Sequence, residues 1–321
     1  MHRSIGQGGF ADALVKKRER RSRLEQIAEL IDWGRVGRLV EPIYAKPEGR
    51  PSYPPLVMVR AVLLAQWYGL SDPGLEEALE DRLSFRKFVG LGLQDETPDD
   101  ATIWRFRDEL SKRGLDSRLF AEINQQLENH GMIVKRGTLL DATLVRSQAA
   151  TPRNNKGEGE SKSAVDPDAN WTGSRTGPFF GYRAHVAVDQ DSNLIRRVRL
   201  TPAKVNESLE ADQLICGDER AVYADKAYEN KHRRARLKAQ HVKDRIMHRS
   251  HKNQRALPHW QQRRNALIAP IRRKVEHVFG TLKRSYGWFR MRYFSLRANA
   301  AHLYLVAVAY NLRRALNLAW Q

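Results

Sequence analysis

Cysteine occurs once in the 321 residues, at Cys216, which excludes a disulfide framework or a cysteine-rich zinc ribbon and fits a reducing compartment. Long apolar runs are missing too. The longest, residues 303–310, has eight residues, against the roughly 18 that a membrane helix needs. The opening residues carry no apolar signal segment, so secretion is not expected. Acids are scarce where bases crowd: residues 231–297 hold 20 Lys/Arg against Asp244 and Glu276, a net of +18 in 67 residues. The whole chain has 56 Lys/Arg against 37 Asp/Glu, a net of +19, so the other 254 residues sum to about +1. A domain-sized basic block on a nearly neutral remainder points to a polyanion, nucleic acid before others. A merely solvated basic face is the plainer reading. A membrane surface fits less well, because the block is not one amphipathic helix with a bulky apolar face. An apolar content of 41% supports a sizeable core, and the length suggests about two domains.

The first 131 residues read as a helical domain. Residues 24–32 (LEQIAELID) and 55–68 (PLVMVRAVLLAQWY) place apolar side chains at three-and-four spacing, and Ser71-Asp72-Pro73-Gly74 reads as a turn between helices. Asp99-Asp100 would cap a helix carrying Ile103, Trp104, Phe106 and Leu110, and Gly131 would stop another over 119–130. The pattern then changes. Residues 137–145, 182–189, 194–200 and 221–224 read as strands, with a hairpin turn over 189–193 and a mobile loop over 151–178. Helices are expected over 207–215, 268–286 and 298–318, and residues 240–260 are basic and poorly patterned. The sum is an α/β sheet with an antiparallel portion.

Three acids stand out. Asp141 interrupts an apolar strand, where a charge is expensive unless a metal, a cation or backbone amides meet it. Asp225 ends the strand Val222-Tyr223-Ala224, at the strand end where open sheets form sites, although taken alone a helix N-cap is the more ordinary explanation. Glu276 is the only acid from Arg245 to the C-terminus. In a helix with a buried Ile271, Val275, Val278 and Leu282 stripe, Arg272, Glu276 and Lys283 keep the same steps about 100° away. An i, i+4 Arg272–Glu276 salt bridge, at about 0.3–0.5 kcal/mol, is the competing reading. Together the three would offer hard oxygen ligands to Mg²⁺ or Mn²⁺, and two such ions can activate an attacking oxygen and stabilise a leaving one. The histidines give no zinc site: His241, His248 and His251 fall in the basic stretch without a ligand cluster.

These residues resemble the DDE-type insertion-sequence transposases, insertion sequence family five in particular. The likeness is carried by Asp81-Arg82-Leu83-Ser84-Phe85-Arg86-Lys87-Phe88 and residues 98–107 (PDDATIWRFR) in the helical part. It continues in Leu140-Asp141-Ala142-Thr143, Gly181-Tyr182-Arg183-Ala184-His185 and Ala224-Asp225-Lys226-Ala227-Tyr228. The family's C-terminal signature runs Tyr, two residues, Arg, three residues, Glu, six residues, Lys; Arg272, Glu276 and Lys283 keep that spacing, with Ala269 at the tyrosine position. The resemblance implies a ribonuclease-H-like catalytic core over 132–297, an N-terminal all-α domain over 1–131 for DNA binding or assembly, and a C-terminal helix over 298–321. It implies that Asp141, Asp225 and Glu276 are the catalytic, metal-binding triad for Mg²⁺ or Mn²⁺, two ions, and that Arg272 and Lys283 contact transposon-end DNA. The expected partners are terminal inverted-repeat DNA and target DNA, gripped by a homodimer on paired ends, in a bacterial cytoplasm beside the nucleoid. The expected reaction is metal-dependent cleavage at the transposon ends and joining of the 3′-hydroxyl to target. An inactive DNA-binding regulator and a stand-alone nuclease of the same fold are the alternatives. His185 reads as a packed or edge histidine. Beyond the signature, Lys283-Arg284, Trp288-Phe289-Arg290, Arg292-Tyr293-Phe294 and Arg297 interleave cations for phosphates with rings that could stack on unpaired bases. For any one of Trp288, Phe289 and Phe294, a place in the core beneath the last helix is the favoured reading.

Overall fold

Ser22 opens the first described helix with a capping box: its hydroxyl accepts from the Glu25 backbone N–H, and the Glu25 carboxylate accepts from the Ser22 N–H. The computed structural model describes residues 21–44, 52–152, 162–174, 176–250 and 256–319. Two compact units divide the chain, one of Met1–Asn129 with Tyr304–Gln321 and one of His130–Leu303.

The first unit holds α1 (Arg23–Leu30), α2 (Trp33–Val40), α3 (Pro55–Tyr68), α4 (Asp72–Asp81), α5 (Leu83–Val89), α6 (Asp100–Lys112) and α7 (Leu115–Asn129). Helix α3 is buried around nearly its whole circumference, so it is the axis of this unit. Gly69, at φ +66°, ends it in the left-handed region. The expected turn at Ser71-Asp72-Pro73-Gly74 is instead the first turn of α4. Ser71 caps it from Oγ to Gly74 N–H at 3.1 Å, and Pro73 sits where no N–H is needed. Asp99 caps α6 through Thr102 N–H at 2.6 Å. Arg107 of α6 grips Asp72 of α4 with two bonds of 2.6 and 2.7 Å, and buried Arg86 donates to the carbonyls of Leu79, Gly92 and Asp95. Both arginines belong to the segments that carry the family likeness, and here they hold helices together.

The second unit is built on β1 (Thr138–Arg146), β2 (Asn170–Ser174), β3 (Gly177–Asp189), β4 (Ile195–Pro202), β5 (Ala221–Ala224) and β6 (Lys243–Ile246). Its helices are α8 (Glu207–Leu214), α9 (Lys231–Ala239), α10 (His259–Arg272) and α11 (Lys274–Ser285); α12 (Leu296–Ala319) begins here. The strand order is β4-β3-β1-β5-β6, antiparallel among the first three and parallel between β1, β5 and β6. That order is the ribonuclease-H-like arrangement. The short parallel strand Ala221–Ala224 is buried throughout, as strands covered on both faces are. Leu140, Val222, Ala224 and Ile246 pack with Ala211 and Leu214 of α8 and Leu237 of α9. Strand β2, within the stretch expected to be a loop, pairs with the start of β3. Gly181 allows β3 to approach β1: at φ +155°, an added Cβ would lie 2.3 Å from Val145 O and 2.7 Å from Ser147 N.

The single helix expected over 268–286 is two. The chain tightens at Arg273, where ψ is −18° and Glu276 N–H bonds the Arg273 carbonyl three residues back. Ile268, Val275, Val278, Phe279 and Leu282 are the buried residues, and Ile271 is only half-buried. No helix among the described residues is long and apolar enough to cross a membrane.

Candidate active site

Two neighbouring strand ends bring the first acids together. Leu140 pairs with Ala224 across β1 and β5, and Asp141 and Asp225 are the next residues along each. Asp141 is 9% exposed. Its carboxylate accepts from Ala142 N–H at 3.0 Å and from Arg272 Nη2 at 2.9 Å. Burial pushes its carboxyl up to about 6, against the opposing pull of Arg272. Asp225 caps the turn Lys226–Tyr228, its Oδ1 accepting from Lys226 N–H at 2.7 Å. Glu276 is exposed and accepts from Arg272 Nη1 at 3.2 Å.

Arg272 therefore bonds two of the acids, and the third is near enough to act on it. Burial works against its charge; Asp141, Asp225 and Glu276, in that order, oppose burial, and the guanidinium pKa is raised. The N-cap at Asp225 and the salt bridge at Glu276 are both present, and neither excludes the cluster. The donor set is carboxylate oxygen throughout, which suits Mg²⁺ or Mn²⁺. One guanidinium against three carboxylates leaves two negative charges, the amount one divalent ion balances. Although the ligand oxygens of the three acids do not all lie within 4.8 Å of one another in this structure, their donor chemistry fits such an ion.

A rival cluster does not. Among the described residues, Cys216, Asp218 and Glu219 alone have possible ligand atoms all within 4.8 Å. Arg196 bonds both of those acids, Lys135 reaches Asp218 at 2.8 Å, and burial pushes the Cys216 thiol up to about 11. Their charges are already met and the thiol keeps its proton. His248 rests on Glu229 at 3.4 Å. His251 lies outside the described residues. His185 is fully buried, its Nε2 on Thr201 Oγ1 at 2.9 Å, and burial holds it down at about 3, so it is a packed neutral histidine.

Three residues beside Asp141 escaped the sequence reading. The Tyr228 hydroxyl is buried and, among the described residues, has no hydrogen-bond partner. Burial first, then Asp141 and Glu207, raise its pKa far above the ordinary phenol value. Glu207, the first residue of α8, pairs with Arg183 of β3 at 3.2 Å and adds to the rise at Asp141. Tyr228 and Arg183 both lie within segments that carry the family likeness, but Arg183 and Glu207 meet only through the fold, and no linear spacing announces that pair.

Of the residues expected on DNA, Lys283 is half-buried, and burial lowers its ammonium pKa. Arg284 is exposed, its Nε donating to Gly280 O at 3.2 Å. Exposed Arg290 donates to the carbonyls of Ser147 and Gln148 at 3.3 and 2.9 Å. Trp288 requires a correction. It is fully buried with its ring centroid 5.1 Å from that of His302, so it is core and presents no face to a base. Phe289 and Phe294 are the exposed rings, at 63% and 47%.

A ribonuclease-H-like sheet with acids at β1, after β5 and on a following helix defines a class of metal-dependent phosphodiester enzymes. Residues 133–312 match the family model described as Transposase DDE domain, and residues 12–109 match a Transposase domain (DUF772). The chain belongs to the DDE-type transposases of insertion sequences. Among solved structures it is similar to a piggyBac transposase synaptic complex with hairpin DNA, at 10% identity and TM-score 0.43, over 92% of this chain and 72% of that one. A Mos1 strand transfer complex matches at 12% identity and TM-score 0.26, over 84% and 79%. The strand order, and not these distant likenesses, defines the fold.

Proposed function

We propose that Asp141, Asp225 and Glu276 are the catalytic acids of this transposase and hold Mg²⁺ or Mn²⁺, two ions in the reacting complex. The enzyme then cuts at the terminal inverted repeats of an element of insertion sequence family five and joins the 3′-hydroxyl to target DNA, as a homodimer on paired ends. The first unit serves end binding or assembly. One observation carries the reading: acids separated by 84 and 51 residues in sequence meet at neighbouring elements, Arg272 bonding both Asp141 and Glu276 while Asp225 follows the strand paired beside Asp141. Bound divalent ions supply activation of the attacking oxygen and stabilisation of the leaving oxygen. Asp141 anchors the cluster in the sheet, Arg272 offsets the repulsion among the acids, and Lys283, Arg284 and Arg290 offer cations to phosphates.

Glu276→Gln tests this. It keeps shape and polarity but loses the charge an ion needs, and Glu276 is the only acid C-terminal to Asp244. Nicking and joining should both disappear, with binding of end DNA retained within a few-fold. Substantial cleavage by the folded variant would remove Glu276 from the triad.

A further inference from the structure

Five residues beyond Asp141, β1 ends at Arg146 in an open groove of about 450 Å³. That size is in the range of small-ligand sites, roughly 300–1,000 Å³. Its walls come from three places: Arg146 of β1, Trp171, Phe179 and Phe180 of the β2–β3 hairpin, and Phe289 with Arg290 after α11. The parts are tied by backbone. Arg146 N–H donates to Phe289 O at 3.3 Å, and Met291 N–H donates to Arg146 O at 2.7 Å. The rings are ordered against each other, Trp171 and Phe180 with centroids 5.4 Å apart and the Arg146 guanidinium 5.8 Å from the Phe179 ring. Phe289 nevertheless leaves 63% of its surface to water. No acid lines the groove among the described residues.

We infer that this groove holds an unpaired nucleotide of the DNA strand beside the cut, its base against Phe289 and the hairpin rings and its phosphate between Arg146 and Arg290. The inference rests on the transposase reading above and adds a second DNA subsite to it. Ring faces and guanidinium groups together are what single-stranded nucleic acid needs, since every base has a face to stack and every link a charge to meet. A duplex would offer the rings only base edges. The position agrees: five residues of strand span about 16 Å from Asp141, within reach of the same DNA strand.

Binding in chelator separates this subsite from catalysis. The probes are a 20-nucleotide oligothymidine and a blunt 20-base-pair duplex, followed by fluorescence anisotropy. Phe289→Ala, a change at an exposed side chain, should weaken oligothymidine binding roughly ten-fold or more and leave the duplex within two-fold. Arg146→Ala should weaken oligothymidine binding and make its salt dependence shallower. An oligothymidine carrying one 5-iodouracil should photocrosslink to Trp171, Phe179 or Phe289. Equal losses on both DNAs, no loss on either, or crosslinks only elsewhere would overturn the subsite. None of these readings depends on cleavage, so a failure of the Glu276→Gln test leaves them interpretable.

Discussion

Asp141 is a buried carboxylate whose ionised form the fold disfavours, and that has a sign. With its carboxyl raised from 3.8 to about 6, the folded protein holds the proton more tightly than the unfolded chain does. The associated stability is fully present below about pH 4 and is lost as pH rises through about 6, a cost near 3 kcal/mol at neutral pH. Asp141→Asn removes the charge at nearly constant volume. In chelator at about pH 7.5 it should melt at or above the parent, and the difference should close as pH falls toward about 4. Thermal melts across that range decide the matter: a variant several degrees lower at neutral pH would mean the Arg272 pair outweighs desolvation. Arg272 makes the complementary case. Arg272→Gln leaves Asp141 buried without its cation, at a cost of about 3–5 kcal/mol in chelator. Mg²⁺ should then raise the melting temperature of Arg272→Gln by more than it raises the parent's, because the ion replaces the missing charge and binds the native state. Equal rises would mean that the ion does not bind beside Arg272.

Among the elements, β1 and β3 show how tightly the site's frame is specified. Gly181 stands where a side-chain carbon would strike the backbone of Val145 and Ser147. Gly181→Ala should force the strands apart and cost roughly 2–4 kcal/mol, read as a lower urea midpoint. Gly280, inside α11, is the control: its added carbon would meet only the flexible Arg284 guanidinium at 3.4 Å, so Gly280→Ala should stabilise by up to about 1 kcal/mol. A lowered midpoint for both would mean that α11 is as tightly confined as the strand. The strands of this frame were legible in the sequence because apolar runs such as LLDATLV and AVYA have no other use. Strand β6, reading KDRI, was not. Backbone pairing to β5 and the bonds of Asp244 with Arg234 and Arg264 hold it, and neither leaves an apolar pattern. Helix α9, reading KHRRARLKA, buries Leu237 and Arg233 on a chain that looks only basic. The acids of the site could be read from their isolation in apolar or basic surroundings. The role of Arg272 as their common partner could not, since it exists only once β1, β5 and α10 meet.

Across the second unit, the density of positive charge overstates what is offered to DNA. Arg233 is 3% exposed and bonds Asp212, Ser208 and the Tyr228 carbonyl. Arg234 is bound to Asp244 and Glu229, and Arg264 to Asp244 and the Ile246 carbonyl. These cations hold the sheet's outer edge together, and their acids come partly from outside the basic block. Lys283, by contrast, has no ion-pair partner among the described residues, while burial disfavours its charge; a phosphate would restore what burial takes. The two kinds of cation should separate in a salt titration. On duplex DNA, log affinity falls by about 0.9 for each neutralised phosphate per log unit of salt. Lys283→Ala should make that slope shallower by about one and weaken end binding, with the melting temperature little changed. Arg233→Ala should do the reverse, leaving the slope alone and lowering the melting temperature, because it leaves the Tyr228 and Ser208 carbonyls without their donor and takes one of two cations from Asp212. If Lys283→Ala left slope and affinity unchanged, the helix carrying Glu276 would approach DNA through other residues. If Arg233→Ala flattened the slope without loss of stability, the buried network would be no barrier to DNA contact, and the division of the basic block into scaffold and surface would fail.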